Sequence, residues 1–311
     1  MVVRDILTDR RIYFMKIIDS HTHTTNSPID AQNLLFNMDK AGTWGTCIFS
    51  GDPLYGNQKL GTTFEQRLEE VLAWTSAAPD RLFPVMWIHP DEEGIYSKIQ
   101  KAVDLGIVAF KMICSDYYVY EPKSMKLLSA IAEMNKAVFF HTGILWDGRV
   151  SSNYNRPINW EHLITIKKLR FSMGHCSWPW HDECIALYGK FLNGLITNPD
   201  SGEMFFDLTP GTPRIYRRDL FNKLFTIGYD VPDNVFFGTD SVVNNYNNGG
   251  WVSSWIDFDN KIYDELGIGE KVRNKIYNEN IMRFLGFTPK TFTHKMPDID
   301  NANSWDINCD R

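Results

Sequence analysis

The sequence predicts an α/β fold in which parallel strands alternate with helices around a single core. Short apolar runs recur along the chain with amphipathic helical patterns between them, which indicates repeated strand-helix-strand units. Right-handed crossovers between such strands give a parallel sheet. The apolar runs number eight, the count that closes a parallel sheet into a (β/α)8 TIM barrel.

The individual elements follow from hydrophobic spacing and from start and stop signals. Strands are predicted at residues 17–23, 46–49, 82–88, 108–113, 137–140, 171–174, 204–208 and 235–237. Helices are predicted at residues 30–41, 63–72, 95–103, 124–134, 159–169, 182–191, 215–227 and 271–285. The second helix opens with the capping-box sequence Thr63-Phe64-Glu65-Gln66, and Gly42, Gly106 and Gly286 end three of the others.

Composition restricts the class of protein and its partners. With 311 residues and 43% hydrophobic composition, the chain can form one large core, and its net charge of −6 predicts no nucleic-acid partner. Five cysteines, an odd number without paired CxxC spacing, favour a reducing compartment, so we expect a cytoplasmic protein. No apolar run reaches signal-peptide or transmembrane length, and we therefore expect no membrane partner.

The chain divides into three predicted segments. Residues 1–14 are expected to be an N-terminal extension, since Met15 directly precedes the first strand. Residues 15–287 form the predicted barrel. Residues 288–311 are a polar tail without periodicity, which we expect to be peripheral or to contribute to an oligomer contact in a homodimer.

Polar residues at the carboxyl ends of the strands mark the functional rim of such a barrel. Side chains alternate along a strand, so His21 and His23 at the end of the first strand share one face. The fifth, sixth and eighth strands are followed by His141, His175 and Asp240. A single histidine at a strand end is more often structural, but four of the eight histidines and an aspartate on one rim predict a metal site.

Several longer motifs contain these residues, namely Asp19-Ser20-His21-Thr22-His23, His141-Thr142-Gly143, Gly174-His175, Pro179-Trp180-His181-Asp182-Glu183, Gly238-Thr239-Asp240 and Asn280-Ile281-Met282-Arg283-Phe284-Leu285-Gly286. By these motifs the chain resembles the amidohydrolase superfamily, over Ile17 to about Phe287. It is similar to the amidohydrolase-related branch of metal-dependent hydrolases. That branch also includes decarboxylases of the aminocarboxymuconate-semialdehyde and resorcylate types.

The resemblance implies a ligand set and two catalytic residues. His21, His23, His141 and Asp240 would hold one divalent ion, usually zinc, while the mixed nitrogen and oxygen ligands also allow manganese. His175 would stand beside the bound water, whose pKa such an ion lowers to about 7. Asp240, as proton acceptor, and His175 are therefore the expected catalytic residues.

Two departures from the family pattern concern the pocket. Cys176-Ser177-Trp178 stands where relatives often have small glycines, and we expect the indole to narrow the pocket. Lys111 is followed by Met112-Ile113-Cys114 where relatives often show Lys-Leu-His-Pro, so no role of that histidine carries over. Lys111 itself could contact a substrate carboxylate, form a carbamylated bridge to a second metal, or be an ordinary strand-end lysine.

Loops that follow the strands are expected to set specificity, and segments 144–157, 209–218 and 244–255 are candidate lids. The expected substrate is a small, flat, carboxylate-bearing molecule with its acid group on an arginine and its reacting carbonyl on the metal. The candidate contacts are Lys111, Trp146, Arg149, Arg156, Trp178 and Arg214. His89 is a weaker rim candidate, and structural roles are expected for His162 and His181.

Three functions are compatible with these residues. The sequence favours a mononuclear metal-dependent hydrolase of C–O or C–N bonds, for example in a lactone or an amide, because hydrolysis is the commoner chemistry of the superfamily. A metal-dependent, non-oxidative decarboxylase of an aromatic or unsaturated acid would use the same residues. The third alternative is a non-catalytic metal-binding barrel.

Overall fold

The computed structural model describes residues 15–25, 27–53 and 62–295; the predicted N-terminal extension and the tail beyond residue 295 lie outside them. The strands are β1 (Ile18–His23), β2 (Gly45–Phe49), β3 (Leu82–Trp87), β4 (Ala109–Met112), β5 (Ala137–Phe140), β6 (Arg170–Met173), β7 (Glu203–Asp207), β8 (Val235–Phe236) and β9 (Ser241–Val242). The α-helices are α1 (Ala31–Ala41), α2 (Phe64–Thr75), α3 (Ile95–Asp104), α4 (Pro122–Glu133), α5 (His181–Thr197), α6 (Arg214–Thr226), α7 (Trp251–Glu265), α8 (Glu270–Asn274) and α9 (Asn280–Phe284).

The strands form one parallel sheet that closes on itself. Their order is β8-β7-β6-β5-β4-β3-β2-β1-β9, so each strand from β1 to β8 lies beside the next one in sequence. Just after β8, the carbonyl oxygen of Phe237 accepts a hydrogen bond of 3.0 Å from the backbone N–H of Ser20 in β1. A few residues later β9 pairs with the end of β1, so the eighth strand of the barrel is divided into two short pieces. The predicted (β/α)8 TIM barrel is confirmed.

Phenylalanine rings fill the inside of the barrel. Phe49, Phe139, Phe205 and Phe236 come from four strands, and all are fully buried. Phe284 of α9 covers the amino-terminal end, with its ring centroid 4.7 Å from that of Phe139 and 5.1 Å from those of Phe205 and Phe236. This packing places a layer of apolar rings beneath the residues of the opposite, carboxyl-terminal rim.

Two predicted α-helices have a different form. Residues 159–169 are predicted as an α-helix, but the chain forms a 3-10 helix, Pro157–Thr165. Its buried side chains, Pro157, Trp160 and Leu163, recur every third residue, which matches the three residues per turn of a 3-10 helix. The predicted helix 271–285 is divided by a π-helical turn, Lys275–Glu279, where the carbonyl of Ile276 accepts a hydrogen bond of 3.1 Å from the backbone N–H of Phe237.

Two predicted loops are partly helical. Helix α7 begins at Trp251, inside the candidate lid 244–255, and it was not expected from the sequence. Helix α6 begins at Arg214, inside the candidate lid 209–218. The buried ion pair between Arg217 of α6 and Asp259 of α7, with N–O distances of 2.6 and 2.7 Å, fixes these two helices to each other. The α-helical part of each segment is thereby held in place, and the role of the residues that precede each helix as a lid stays a prediction.

The inward face of β7 carries a carboxylate at each end. Period-two alternation places Glu203, Phe205 and Asp207 on this face, and all three are buried. At the amino-terminal end, Oε1 of Glu203 accepts hydrogen bonds from Arg283 (2.8 Å) and Asn234 (3.1 Å). Residues of the predicted tail complete this cluster.

His294 attaches the tail to the barrel. Its Nε2 lies 3.4 Å from Oε1 of Glu203, and its Nδ1 lies 3.4 Å from Oδ2 of Asp230. Lys290 adds a contact of 3.3 Å to the same Glu203 oxygen. Burial alone would lower the pKa of His294, but the two carboxylates outweigh burial and raise the pKa above its ordinary value of 6.5.

The stability that His294 contributes is expected to depend on pH. Because its pKa is higher in the folded state, the contribution is fully present below pH 6.5 and is lost as pH rises through the folded-state pKa. The melting temperatures of the wild type and of His294→Asn, measured from pH 5.5 to 9, should therefore differ most at the acidic end and converge at the alkaline end. A difference that stays constant across this range would show that His294 does not act through its charge.

Candidate metal centre

His21, His23 and Asp240 meet at the carboxyl-terminal rim. The two histidines lie on the same face of β1, and Asp240 lies between β8 and β9 with a left-handed backbone (φ 55°). Their candidate ligand atoms all lie within 4.8 Å of one another. Oδ1 of Asp240 is 3.1 Å from Nε2 of His23 and 3.6 Å from Nε2 of His21. Two imidazole nitrogens and a carboxylate oxygen in this arrangement fit one divalent ion.

His141, the fourth ligand implied by the resemblance, lies beside this group but is not part of it. Its Nδ1 is 3.2 Å from Nε2 of His175, and its Nε2 is 3.3 Å from the carbonyl oxygen of Ile144. Both ring nitrogens therefore face partners other than the three grouped residues. The imidazole would have to turn to complete a four-ligand set, so its role as a ligand stays a prediction.

Burial favours the protonation states that metal binding requires. Burial, with the nearby charge of Lys111, lowers the pKa of His21 to about 3. Burial also lowers the pKa values of His141 and His175. Burial alone would raise the pKa of Asp240, but the neighbouring His23 and His21 hold it well below its usual range. Neutral imidazoles and an ionised carboxylate are the forms that bind a divalent cation.

Lys111, at the end of β4, places a cation directly beside this group. Its side chain is almost completely buried, and its Nζ lies 3.3 Å from Nε2 of His21 and 5.1 Å from the ring centroid of Phe49. Burial lowers the pKa of Lys111 to about 8, although the carboxylates of Asp207 and Asp240 act in the opposite direction. The ammonium group is thus within reach of any substrate atom that approaches the metal site.

Residues at the end of β7 support two of the histidines, and the sequence analysis did not identify them. Oδ2 of Asp207 lies 3.3 Å from Nδ1 of His21, and the carbonyl oxygen of Thr209 lies 3.3 Å from Nδ1 of His175. An acidic residue that ends the apolar run Met204-Phe205-Phe206 was the available signal, because it follows the same strand-end rule that identified the other rim residues.

The backbone around His175 is strained. His175, Cys176 and Ser177 all have left-handed backbone angles, with φ values of 59°, 44° and 59°. Non-glycine residues rarely adopt this region, and such strain persists where the surrounding structure enforces it. Gly211 packs so closely on the imidazole that a Cβ atom at this position would lie 2.6 Å from Cγ of His175.

Alanine at Gly211 is therefore expected to displace His175 and to reduce kcat by about 100-fold, the order of magnitude for a 1 Å misplacement of a reacting group. Gly269→Ala is the matched control, because a Cβ atom there meets nothing within 4 Å. Steady-state kinetics of both variants on a substrate of the wild type check this prediction. Equal activities of the two variants would contradict it.

A cavity of about 360 Å³ opens above these residues. Its base is polar and is formed by His21, His23, Lys111, His141, His175 and Asp240. Its walls are mainly apolar and include Trp87, Ile113, Ile144, Leu145, Trp146 and Trp178. The predicted substrate contacts Lys111, Trp146 and Trp178 thus line the cavity, and the narrowing of the pocket by Trp178 stays a prediction. Trp146 is 80% exposed, which places this indole at the mouth.

The three predicted arginine contacts are engaged elsewhere. Arg149 pairs with Asp147 at 3.0 Å and lines an adjoining cavity of about 110 Å³, together with the weaker rim candidate His89. Arg156 pairs with Glu183 at 2.9 Å. Arg214 donates a 2.8 Å hydrogen bond to Ser254. None of the three arginines lines the main cavity, so among the described residues Lys111 is the cation that lies there.

The remaining histidines have other partners. His162 lies in the 3-10 helix with its ring 4.6 Å from that of Tyr120, and His181 lies 3.1 Å from the hydroxyl of Thr212. Both contacts agree with the structural roles expected from the sequence. No helix among the described residues is long and apolar enough to cross a membrane.

Comparisons with known proteins agree on one family. The model of the amidohydrolase family matches residues 18–287. No curated protein matches the sequence. A probable 2-pyrone-4,6-dicarboxylic acid hydrolase from Acinetobacter baumannii is 14% identical, with a TM-score of 0.55 over 88% of this chain and 100% of that one.

Two further solved structures share the fold. A 2,6-dihydroxybenzoate decarboxylase from Rhizobium is 12% identical, with a TM-score of 0.59 over 88% of this chain and 99% of that one. An amidohydrolase from Burkholderia multivorans is 10% identical, with a TM-score of 0.60 over 87% of this chain and 99% of that one. At these identities the structural likeness shows the fold alone, whereas the family model covers most of the sequence, and the chain therefore belongs to the amidohydrolase family.

Proposed function

We propose that the protein is a mononuclear metal-dependent hydrolase that uses water to cleave a C–O or C–N bond of a small carboxylate-bearing substrate, such as a lactone or an amide. One observation supports this proposal: His21, His23 and Asp240 lie together at the base of a cavity with apolar walls. Lys111 and His175 line the same cavity. Bound there, a divalent ion would lower the pKa of a water molecule and polarise a carbonyl group.

Each polar residue of the base has a distinct task in this proposal. The side chain of Asp240 is 36% exposed and faces the cavity. In this proposal it accepts the proton of the attacking water. Lys111 donates to the oxygen on which negative charge develops. Nδ1 of His175 faces the carbonyl of Thr209, so Nε2, which contacts Nδ1 of His141, is the atom through which a proton would reach the leaving group. His141 contacts His175 and orients it.

The shape of the cavity supports a small, flat substrate. Trp87 and Trp178 line the cavity, Trp146 stands at its mouth, and such indole faces can stack on a planar ring. The ammonium of Lys111 carries three N–H donors, so it can also pair with the acid group that the sequence analysis placed on an arginine. Arg149, at the rim, is the remaining guanidinium close enough to contact a longer substrate.

Decarboxylation of an aromatic or unsaturated acid is the second candidate, because the same indoles would hold an aromatic ring. The fold similarity to a 2,6-dihydroxybenzoate decarboxylase agrees with this candidate. In that reaction His175 would deliver a proton to the carbon that loses carbon dioxide. The polar base of the cavity serves both reactions.

A panel of lactones, amides and aromatic acids separates the candidates. Hydrolysis in H2(18)O should place one heavy oxygen in the new carboxylate, whereas decarboxylation in D2O should release carbon dioxide and leave deuterium on the product carbon. We expect heavy-oxygen incorporation from a lactone or an amide. Carbon dioxide release alone would establish the decarboxylase. Metal binding without turnover across the panel would support the non-catalytic barrel.

The identity of the metal, the cellular location and the oligomeric state belong to the same proposal. We propose zinc as the ion, with manganese as the alternative, at about one ion per chain, which elemental analysis of protein purified without chelators measures. Cys47, Cys114, Cys176 and Cys184 are buried and unpaired, which supports a cytoplasmic location. The homodimer is a proposal that light scattering coupled to size exclusion checks.

A further inference from the structure

The two ring nitrogens of His21 face different surroundings. Nε2 points to the cavity, 3.6 Å from Oδ1 of Asp240. Nδ1 points into the barrel, 3.3 Å from Oδ2 of Asp207 and 3.3 Å from the hydroxyl oxygen of Thr209. A neutral imidazole carries a single N–H, and an ionised carboxylate can only accept a hydrogen bond. The pairing with Asp207 therefore places the proton on Nδ1 and directs the Nε2 lone pair to the cavity side, where the ammonium of Lys111, 3.3 Å away, can only donate to it.

Asp207 is itself held in place. Its Oδ1 accepts hydrogen bonds from the backbone N–H (2.9 Å) and from the hydroxyl of Thr209, and its side chain is completely buried. Because Thr209 engages Oδ1 through two hydrogen bonds, Oδ2 is the oxygen left for His21.

The same segment acts on His175. The carbonyl oxygen of Thr209, 3.3 Å from Nδ1 of His175, can only accept, so the His175 proton also lies on Nδ1 and its Nε2 lone pair faces Nδ1 of His141 at 3.2 Å. Asp207 and Thr209 are two residues apart and thus set the tautomers of two histidines that come from different strands. β7 contributes no residue to the three-residue metal group, yet it organises the rim.

We propose that Asp207 and Thr209 are positioning residues, with Asp207 fixing His21 in the tautomer that binds the metal and Thr209 fixing both Asp207 and His175. The inference rests on the proposed metal site and deepens it. Partners that hydrogen-bond to a metal-bound histidine typically change metal affinity by 10- to 100-fold when they are replaced. A residue with a merely structural role would change stability but not this affinity.

The test compares Asp207→Asn with the wild type. Asparagine keeps the shape but has only one acceptor oxygen, so it cannot accept from both His21 and Thr209. Competition between metal-free protein and a chromogenic chelator for Zn²⁺ should show about 10- to 100-fold weaker binding by the variant. Glu203→Gln is the matched control: it neutralises a buried carboxylate at the far end of the same strand, and its Zn²⁺ affinity should equal that of the wild type.

A second measurement does not depend on how the variant folds. The ¹⁵N chemical shifts of His21 in the metal-free wild type should show a protonated Nδ1 and an unprotonated Nε2. Unchanged Zn²⁺ affinity in folded Asp207→Asn, or a protonated Nε2 in the wild type, would overturn the positioning role while leaving the proposed function intact. Failure of the wild type to bind Zn²⁺ would overturn the proposed metal site and this inference together.

Discussion

Asparagine in place of His175 is expected to reduce turnover by about 10²- to 10⁴-fold, the usual contribution of a general acid or base, while the protein keeps its metal. His21→Asn and Asp240→Asn should lose both activity and metal. The reason is geometric: the ligand atoms of His21, His23 and Asp240 form the candidate metal group, whereas His175 lies next to it against His141. Metal content by elemental analysis, measured beside kcat for each variant, separates the two classes.

His162→Asn is the control for this series, because it removes an imidazole from the 3-10 helix rather than from the rim. It should retain both metal and activity. Equal loss of metal from His175→Asn and His21→Asn would show that His175 is a ligand. In that case the role assigned to His175, beside the bound water, would be wrong.

Methionine in place of Lys111 is expected to lower kcat/KM by about 10²- to 10³-fold, the cost of removing one donor to a developing negative charge. Methionine keeps an apolar stem of similar length over Phe49 but removes the cation from the base of the cavity. Metal content should not fall, because the substitution removes a positive charge near Nε2 of His21 and leaves the three grouped ligands in place. Steady-state kinetics and elemental analysis of the same preparation provide both measurements.

Arg149→Met is the comparison that distinguishes the two cations. If Lys111 serves the reaction as proposed, Arg149→Met should have a much smaller effect on kcat, since Arg149 pairs with Asp147 at the rim. A larger effect at Arg149 would return the acid group of the substrate to an arginine. Two ions per wild-type chain, reduced to one in Lys111→Met, would instead favour the carbamylated bridge.

Periodicity predicted the strands well because each buried strand is a short apolar run, and the ends of those runs located the rim. His21, His23 and Asp240 were found in this way, and the structure brings their ligand atoms together. The same rule would have found Asp207, which was overlooked because the predicted strand was extended to Leu208 and so included it. The orientation of His141 depends on its contacts with His175 and with the backbone carbonyl of Ile144, which the apolar pattern of the strand does not encode.

The missed helix α7 has a similar physical explanation. It follows a segment rich in Asn and Gly, and its N-cap, Gly250, makes no side-chain capping hydrogen bond. Its buried face also includes Asp259, whose charge is matched by Arg217 from another helix. The arginine contacts stay predictions, and the pairing of Arg156 with Glu183, a partner distant in sequence, is a contact that no local pattern encodes.

The two carboxylates on the inward face of β7 have a consequence for engineering. Glu203 and Asp207 are four positions apart, roughly 13 Å at about 3.3 Å per residue, and Phe205 lies between them. Substitutions this far apart without shared partners usually change the free energy of unfolding additively, to within about 0.5 kcal/mol. Stabilising changes around Glu203 should therefore offset the stability lost through substitutions at the rim, and they should do so without altering the chemistry there.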